Sequence, residues 1–318
     1  MIAYSGIKDD AVMENKWVTV MGSFVADLAF RTDRIPVWGE TMMGQSFKLG
    51  PGGKGSNQAV AAARAGGRVS FISKLGQDAF GDMARNMYKA EGIDTRFLFT
   101  TASATGAATI IIDAEKGENA IIVVPGACFE VTADEVDQTR ELIAESSVFV
   151  AQLELSLPVV EHGLALAHKL GVPTILNPAP AAPLPESIYQ YIDYITPNET
   201  EAAALTGVPV ASIAGAEKAA DAFLARGVPN AIITLGAQGA FVKNARVKAH
   251  VPAFNAGQVV ETTGAGDAFN GAFAVALAEG MDLVEAARFC CVAAGISITR
   301  PGTAPSMPTR AEIDALRN

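Results

Sequence analysis

The sequence predicts an α/β fold: a parallel sheet covered by helices on both faces, with a second, smaller β-sheet beside it. Three observations carry this reading. Short, nearly all-apolar runs recur along the chain, as strands buried on both faces require. Ala-rich stretches with apolar residues at helical spacing alternate with them. Two further stretches break that alternation and read as half-buried strands.

Residues 18–21 and 69–72 read as core strands, followed by 147–151, 173–176, 194–196 and 231–235. The helical stretches are 56–65, 80–91, 133–146, 158–170, 199–206 and 216–226. The exceptions are 27–49, punctuated by Pro36, Gly39 and Gly44, and 97–124, where 105–113 and 120–124 read as strands around a turn at 115–119. Strands with one wet face do not belong inside a doubly wound core. These two excursions are expected to form a small sheet near the carboxyl ends of the core strands, where open α/β sheets bind ligands. The expected division is 17–26, 50–96 and 125–314 for the core, 27–49 and 97–124 for the small sheet, and 1–16 as an N-terminal tail.

Half of the 318 residues are hydrophobic and 18% are charged, enough apolar material for a sizeable core and against disorder. A formal charge of −10 without basic runs argues against nucleic acid and anionic membrane surfaces. It leaves room for a small anion held by backbone amides. Cys128, Cys290 and Cys291 are odd in number and form no C-x-x-C, so a reducing, cytoplasmic setting is expected rather than a disulfide framework. The three histidines form no zinc motif, and no apolar run reaches the ~18 residues of a membrane span. The tail 1–16 has no apolar core of a signal peptide.

Four segments carry chemistry. Gly50-Pro51-Gly52-Gly53-Lys54-Gly55-Ser56-Asn57-Gln58 precedes a helix and lacks the spacing of a Walker A loop. It reads either as a turn with Ser56 or Asn57 capping the helix, or as backbone that approaches a polar ligand closely. Thr262-Thr263-Gly264-Ala265-Gly266-Asp267 opens an Ala-rich helix. Its free N–H groups make a cradle for negative charge, and Asp267 could take a proton from a hydroxyl beside it, or could merely stabilise its helix end. In Thr196-Pro197-Asn198-Glu199-Thr200-Glu201, Asn198 or Thr196 caps a helix with Glu201 completing a capping box, or Asn198 and Glu201 organise a hydrated Mg²⁺ near phosphates. Thr234-Leu235-Gly236-Ala237-Gln238-Gly239 is a Gly hairpin or a backbone approach to a nucleotide.

Together and in this order, these segments resemble the ribokinase branch of the PfkB-type carbohydrate kinases. The resemblance adds Gly22-Ser23 with Asp27, Asn57-Gln58-Ala59-Val60-Ala61-Ala62, Gln152-Leu153-Glu154 and Asn177-Pro178-Ala179-Pro180, and runs from about Val18 to about Ile313. It implies a Rossmann-like, ribokinase-like core with a β-sheet lid, and ATP-dependent phosphorylation of a sugar hydroxymethyl group. By resemblance Asp267 is the general base, with Gly264, Ala265 and Gly266 supplying the anion hole. Asp27, Gly53, Lys54 and Asn57 are expected at the sugar with Glu154. Asn198, Thr234, Gly236, Ala237, Gly239, Gly266 and Cys291 are expected at ATP. Glu201 is expected to organise Mg²⁺ indirectly. Glu261, Thr263, Ser297, Arg300, Gly302 and Ser306 match the positions of an activating monovalent cation, usually K⁺. Relatives of this type often pair their lids into a homodimer.

Two residues depart from the branch: Glu261 replaces its usual Asp, and Val25 replaces an Asn that helps hold ribose hydroxyls. A ribose hydroxyl left unpaired against Val25 would cost ~1–3 kcal/mol, which keeps 2-deoxy-D-ribose as an alternative substrate. Another PfkB-type sugar or nucleoside kinase is a further alternative. A non-catalytic sugar-binding sensor would lack Asp267, and a nicotinamide-dependent dehydrogenase would need a Gly-rich turn where Gly22-Ser23-Phe24-Val25 offers one glycine.

Overall fold

The computed structural model describes residues 17–115 and 119–317. The expected tail 1–16 and part of the expected turn at 115–119 lie outside the described residues. The strands, in chain order, are β1 (Trp17–Met21), β2 (Val25–Thr32), β3 (Ser46–Gly52), β4 (Arg68–Gly76), β5 (Leu98–Thr101), β6 (Thr105–Asp113) and β7 (Asn119–Gly126). They continue as β8 (Val148–Gln152), β9 (Thr174–Asn177), β10 (Tyr194–Ile195), β11 (Asn230–Thr234), β12 (Ala240–Lys243) and β13 (Lys248–Val251). The helices are α1 (Lys54–Arg64), α2 (Ala79–Ala90), α3 (Ala133–Asp137), α4 (Arg140–Ala144) and α5 (Leu157–Lys169). After them come α6 (Glu199–Thr206), α7 (Ile213–Ala225), α8 (Ala265–Ala278), α9 (Leu283–Ser297) and α10 (Arg310–Arg317).

Nine strands form one sheet in the order β13-β12-β11-β10-β9-β8-β1-β4-β5. It is parallel from β11 to β5; β12 runs antiparallel to β11, and β13 reverses again on β12. β1 and β8 are buried along their whole length, which is why they read as unbroken apolar runs. One apolar cluster packs α1, α8 and α9 against one face, around Phe71, Tyr88, Phe273 and Phe289. The other packs α5 and α7 against the opposite face, around Met21, Phe149 and Phe223. Both faces are therefore covered by helices, as the alternation of elements requires.

The second sheet has four strands, β3-β2-β6-β7, with a parallel junction between β2 and β6 and antiparallel hairpins on either side. Here one boundary differs from expectation. The stretch 97–124 does not belong wholly to the small sheet, because β5 pairs in parallel with β4 at the edge of the large one. An edge strand is half exposed, so its residues carry the same mixed pattern as a lid strand. The expected single helix at 133–146 is also two, α3 and α4. The Thr139 hydroxyl donates to the Val136 carbonyl at 2.7 Å, a local bond that competes with helix continuation.

Candidate active site

The carboxyl ends of five parallel strands deliver the polar groups. β1 runs into Gly22 and Ser23, β8 ends at Gln152 just before Glu154, and β9 ends at Asn177. β10 leads to Thr196 and Asn198, and β11 ends at Thr234. The first turns of α1 and α8 meet there, since Asn57 and Asp267 are hydrogen-bonded.

α1 starts at Lys54 on Gly53, whose φ of 86° is a conformation that favours glycine. A Cβ at Gly53 would also lie 2.8 Å from the Ser23 carbonyl oxygen. Neither Ser56 nor Asn57 caps the helix; both are buried within it, so the capping alternative falls. The tight approach has a use: the Lys54 amide donates to Glu154 at 2.8 Å, and the Ser23 hydroxyl donates to the same Glu154 oxygen. Gly52 leaves room for Asp27, since a Cβ there would fall 2.2 Å from its carboxylate. Burial, then the charges of Glu154, Asp267 and Glu261, push the Asp27 carboxyl up to about 6.

α8 starts on Gly264, in the left-handed region at φ 86°, and no side chain caps it. The Ala265 amide donates to the Thr262 carbonyl at 3.2 Å, and no side chain claims the amides that follow it in the first turn, with the helix dipole behind them. A Cβ at Gly266 would meet nothing within 4 Å, so open space lies in front of this turn. Asp267 is buried in the same turn. Its Oδ2 accepts from Asn57 Nδ2 and its Oδ1 from Gln58 Nε2, each at 3.0 Å. Burial raises its pKa above the ordinary carboxylate value, opposed by Lys54 and by the two amide bonds.

Two cavities meet at this turn. The smaller, about 150 Å³, is polar and lined by Lys54, Asn177, Thr196, Glu201, Asp267 and Asn270. The larger, about 390 Å³, is walled by Phe254, Val259, Phe269, Cys291, Ala294 and Ile298. Asn198, Thr234 and Gly266 line both. A wider open groove of about 870 Å³, lined by Trp17, Arg68 and Arg96, lies where β1 and β4 begin and holds none of the expected site residues.

All residues expected at ATP line the larger cavity: Asn198, Thr234, Gly236, Ala237, Gly239, Gly266 and Cys291. Thr234 to Gly239 is the hairpin between β11 and β12, and its backbone lines the larger cavity. Likewise Asn198, not Thr196, caps α6, and a full capping box ties it to Glu201. Glu201 keeps its carboxylate in the polar cavity, where burial raises its pKa and Lys54 opposes the rise. For the cation set, the Glu261 carboxylate accepts from the Gly302 amide at 2.8 Å, and residues 260–261 bond to the Ile298 carbonyl. The hydroxyls of Ser297 and Ser306 bond to backbone carbonyls, and the Arg300 side chain pairs with Glu312. Thr263 is exposed beside this loop. Ser23, Gln58, Gln152, Asn177 and Asn270, none of them expected in a site role, also meet at the floor. Ser23, Gln58, Gln152 and Asn177 stand inside the motifs that carry the resemblance, and Asn270 lies one turn after Gly266 and Asp267.

A helix N-terminus with a buried carboxylate between a polar and an apolar cavity is a transfer site between two ligands. The family comparison agrees: residues 15–310 match the model of the pfkB family carbohydrate kinases. The chain belongs to this family. The pfkB kinase is 43% identical to ribokinase of Haemophilus influenzae over 93% of its own length and 97% of that protein's. It is 36% identical to deoxyribokinase of Salmonella typhi, over 92% and 95%. Among solved structures, Arabidopsis thaliana ribokinase complexed with ribose and ATP superposes with a TM-score of 0.90 at 30% identity, covering 96% of this chain and 99% of that one.

Proposed function

We propose that this kinase transfers the γ-phosphoryl group of ATP to the 5-hydroxyl of D-ribose. The observation that carries the reading is Asp267, buried on the first turn of α8 where the polar and apolar cavities meet. The apolar cavity takes the adenine end of the nucleotide. The pentose binds beside Lys54 and Asp267 of the polar cavity, against Glu154 on the Lys54 amide, Asn57 on Asp267, and Asp27, whose charge couples to both carboxylates. Asn57 Oδ1 is buried without a hydrogen-bond partner, which a sugar hydroxyl would supply. Asp267 Oδ2 accepts the proton of the attacking hydroxyl, and the amides at Gly264, Ala265 and Gly266 stabilise the charge that develops on the transferred group. Gly53 and Lys54 close the sugar side, and the Lys54 charge faces Asp267 and Glu201.

The residues fit a hydrated Mg²⁺. Glu201 Oε2 is held by the Asn198 amide at 2.8 Å while the carboxylate lines the polar cavity. One or two carboxylates plus phosphates is the usual protein contribution to such an ion, which shields phosphate charge when bound. K⁺ fits the loop formed by Glu261, Thr263, Ser297, Arg300, Gly302 and Ser306. The Ser297, Ile298 and Thr303 carbonyls of this loop accept from neighbouring amides, the Glu261 carboxylate stands beside them on the Gly302 amide, and no Lys or Arg pairs with it among the described residues.

The small sheet supports a homodimer. By register Phe30 stands opposite Phe47, and Leu28 stands between Leu49 and Thr109, which itself faces Ile122. Phe47, Leu49, Ile122 and Val124 share that face and are exposed, an apolar patch of the kind a second copy covers. Reduced, buried Cys128, Cys290 and Cys291 are in keeping with the cytoplasm, and no described helix is long and apolar enough to cross a membrane.

One observation favours a second substrate. Val25 is 4% exposed at the head of β2, facing Gly52 and Gly106, and offers no hydrogen bond to a 2-hydroxyl. The test is ADP release with Mg²⁺-ATP and K⁺ on D-ribose, 2-deoxy-D-ribose, D-fructose and adenosine, with Asp267→Ala as control. Turnover of ribose that vanishes in the control supports the proposal. Preference for 2-deoxyribose would move the assignment to that sugar, and turnover of adenosine or fructose alone would overturn it.

A further inference from the structure

Beneath Asp267 lies a buried ring of side-chain amides. Gln58 is fully buried and fully bonded: its Oε1 accepts from Gln152 Nε2 at 2.8 Å, and its Nε2 donates to Asn177 Oδ1 and to Asp267 Oδ1, both at 3.0 Å. Asn177 Nδ2 donates onward to the Thr196 carbonyl at 3.0 Å. The Thr196 hydroxyl donates to Asn270 Oδ1 at 2.5 Å, and Asn270 Nδ2 donates to the Gly266 carbonyl at 2.8 Å. The chain of bonds therefore starts and ends on the first turn of α8. It fixes the carboxylate on one side and the anion-binding backbone on the other.

We propose that Gln58, clamped by Gln152 and Asn177, is the positioning residue for the catalytic carboxylate. This rests on the reading of Asp267 as the general base. Both Nε2 hydrogens of Gln58 are committed, and its Oε1 is occupied by a donor, so the amide cannot turn over without breaking three bonds. It therefore always presents N–H to Asp267 Oδ1. That leaves Oδ2, the oxygen on Asn57, as the one that takes the substrate proton. Asn57 borders the sugar side and exchanges its bond when the hydroxyl arrives; Gln58 stays. The N–H donor also favours the ionised carboxylate in a site where burial disfavours it. Other charges face Asp267 as well: Lys54 from α1, Asp27 from β2, Glu154 after β8, and Glu201 from α6.

The test is Gln58→Leu in the full chain, assayed for kcat, for the acidic limb of the kcat/KM–pH profile, and for equilibrium sugar binding without ATP. The expected result is a kcat lower by about 10²-fold, as misplacement of a reacting group costs. The acidic limb moves up by about one pH unit, and sugar affinity stays within about threefold. An unmoved limb with kcat within about twofold of wild type overturns the proposal. Should Gln58→Leu not fold, Gln152→Leu frees the Gln58 amide from one side. The same upward limb shift at smaller size then supports the proposal, and an unmoved limb overturns it. Activity retained in Asp267→Ala would instead show that the reading of the base itself has failed.

Discussion

The floor of the site and the small sheet beside it satisfy their side chains in opposite ways. On the floor, Gln58, Asn177, Asn270 and Asp267 are polar and buried; Gln58 bonds to Asn177 and Asp267, and Asn270 bonds to Thr196 and the Gly266 carbonyl. In the small sheet, Phe47, Leu49, Ile122 and Val124 are apolar and exposed, and Asp27 is its one carboxylate at the site. The bonds of Gln58, Asn177 and Asn270 are made within the protein, while Asn57 Oδ1 and Gln152 Oε1 are buried without a partner. An exposed apolar sheet lacks its cover until something docks on it. Under the proposed function, the floor carries the chemical step, and the sheet carries capture, specificity and assembly.

The strongest way to break this division is Asp267→Ala. It should lower kcat by about 10³–10⁴-fold while nucleotide affinity, measured by calorimetry, is kept. Retained turnover would remove the floor from the chemistry. Next is Gly266→Ala. Its Cβ meets no protein atom within 4 Å, so the melting temperature should hold while kcat falls about 10²-fold because the methyl occupies phosphate space. On the sheet side, Val25→Asn should raise the ribose to 2-deoxyribose ratio of kcat/KM by about tenfold with kcat nearly unchanged. Phe47→Glu should shift a dimer toward monomer in light scattering and leave the core's unfolding transition in place. A wild-type protein that is monomeric at micromolar concentration would sink the assembly reading.

A further effect is one of stability rather than activity. Asp27 titrates at about 6 in the folded chain against 3.8 ordinarily. Its contribution is favourable below the ordinary value and is lost as pH rises through about 6, since folding then opposes ionisation. Asp27→Asn should therefore stabilise the unliganded protein at pH 8 by up to about 3 kcal/mol and leave it unchanged near pH 3. Thermal melts across that range read the difference. A gap that does not widen with pH would show that Asp27 is not strained by its neighbours.

The glycine-rich turns were legible because their chemistry is local. Gly53 and Gly264 take positive φ at helix starts, and their neighbours Lys54 and Asp267 follow in sequence. The amide ring was not legible, because Gln58 meets partners 119 and 209 positions away and nothing in its own neighbourhood encodes them. The apolar wall of Phe254, Val259 and Ile298 was hidden for the same reason, since core-like residues signal burial whether they face protein or ligand. The core strands were read from their unbroken apolar runs. β5 was misassigned because an edge strand shows a half-wet pattern whichever sheet it borders.

The parallel junction of the small sheet has a consequence for how the chain reaches its native state. The β2–β3 and β6–β7 hairpins each close locally, but joining them pairs Val25 with Gly106 across the intervening stretch 53–104, which contains α1, β4, α2 and β5. Closing that loop is costly in a disordered chain and much less so once β4 and β5 have docked on β1. Assembly of the small sheet thus depends kinetically on the core, and a nascent chain with an unfinished core does not yet display the joined four-stranded surface.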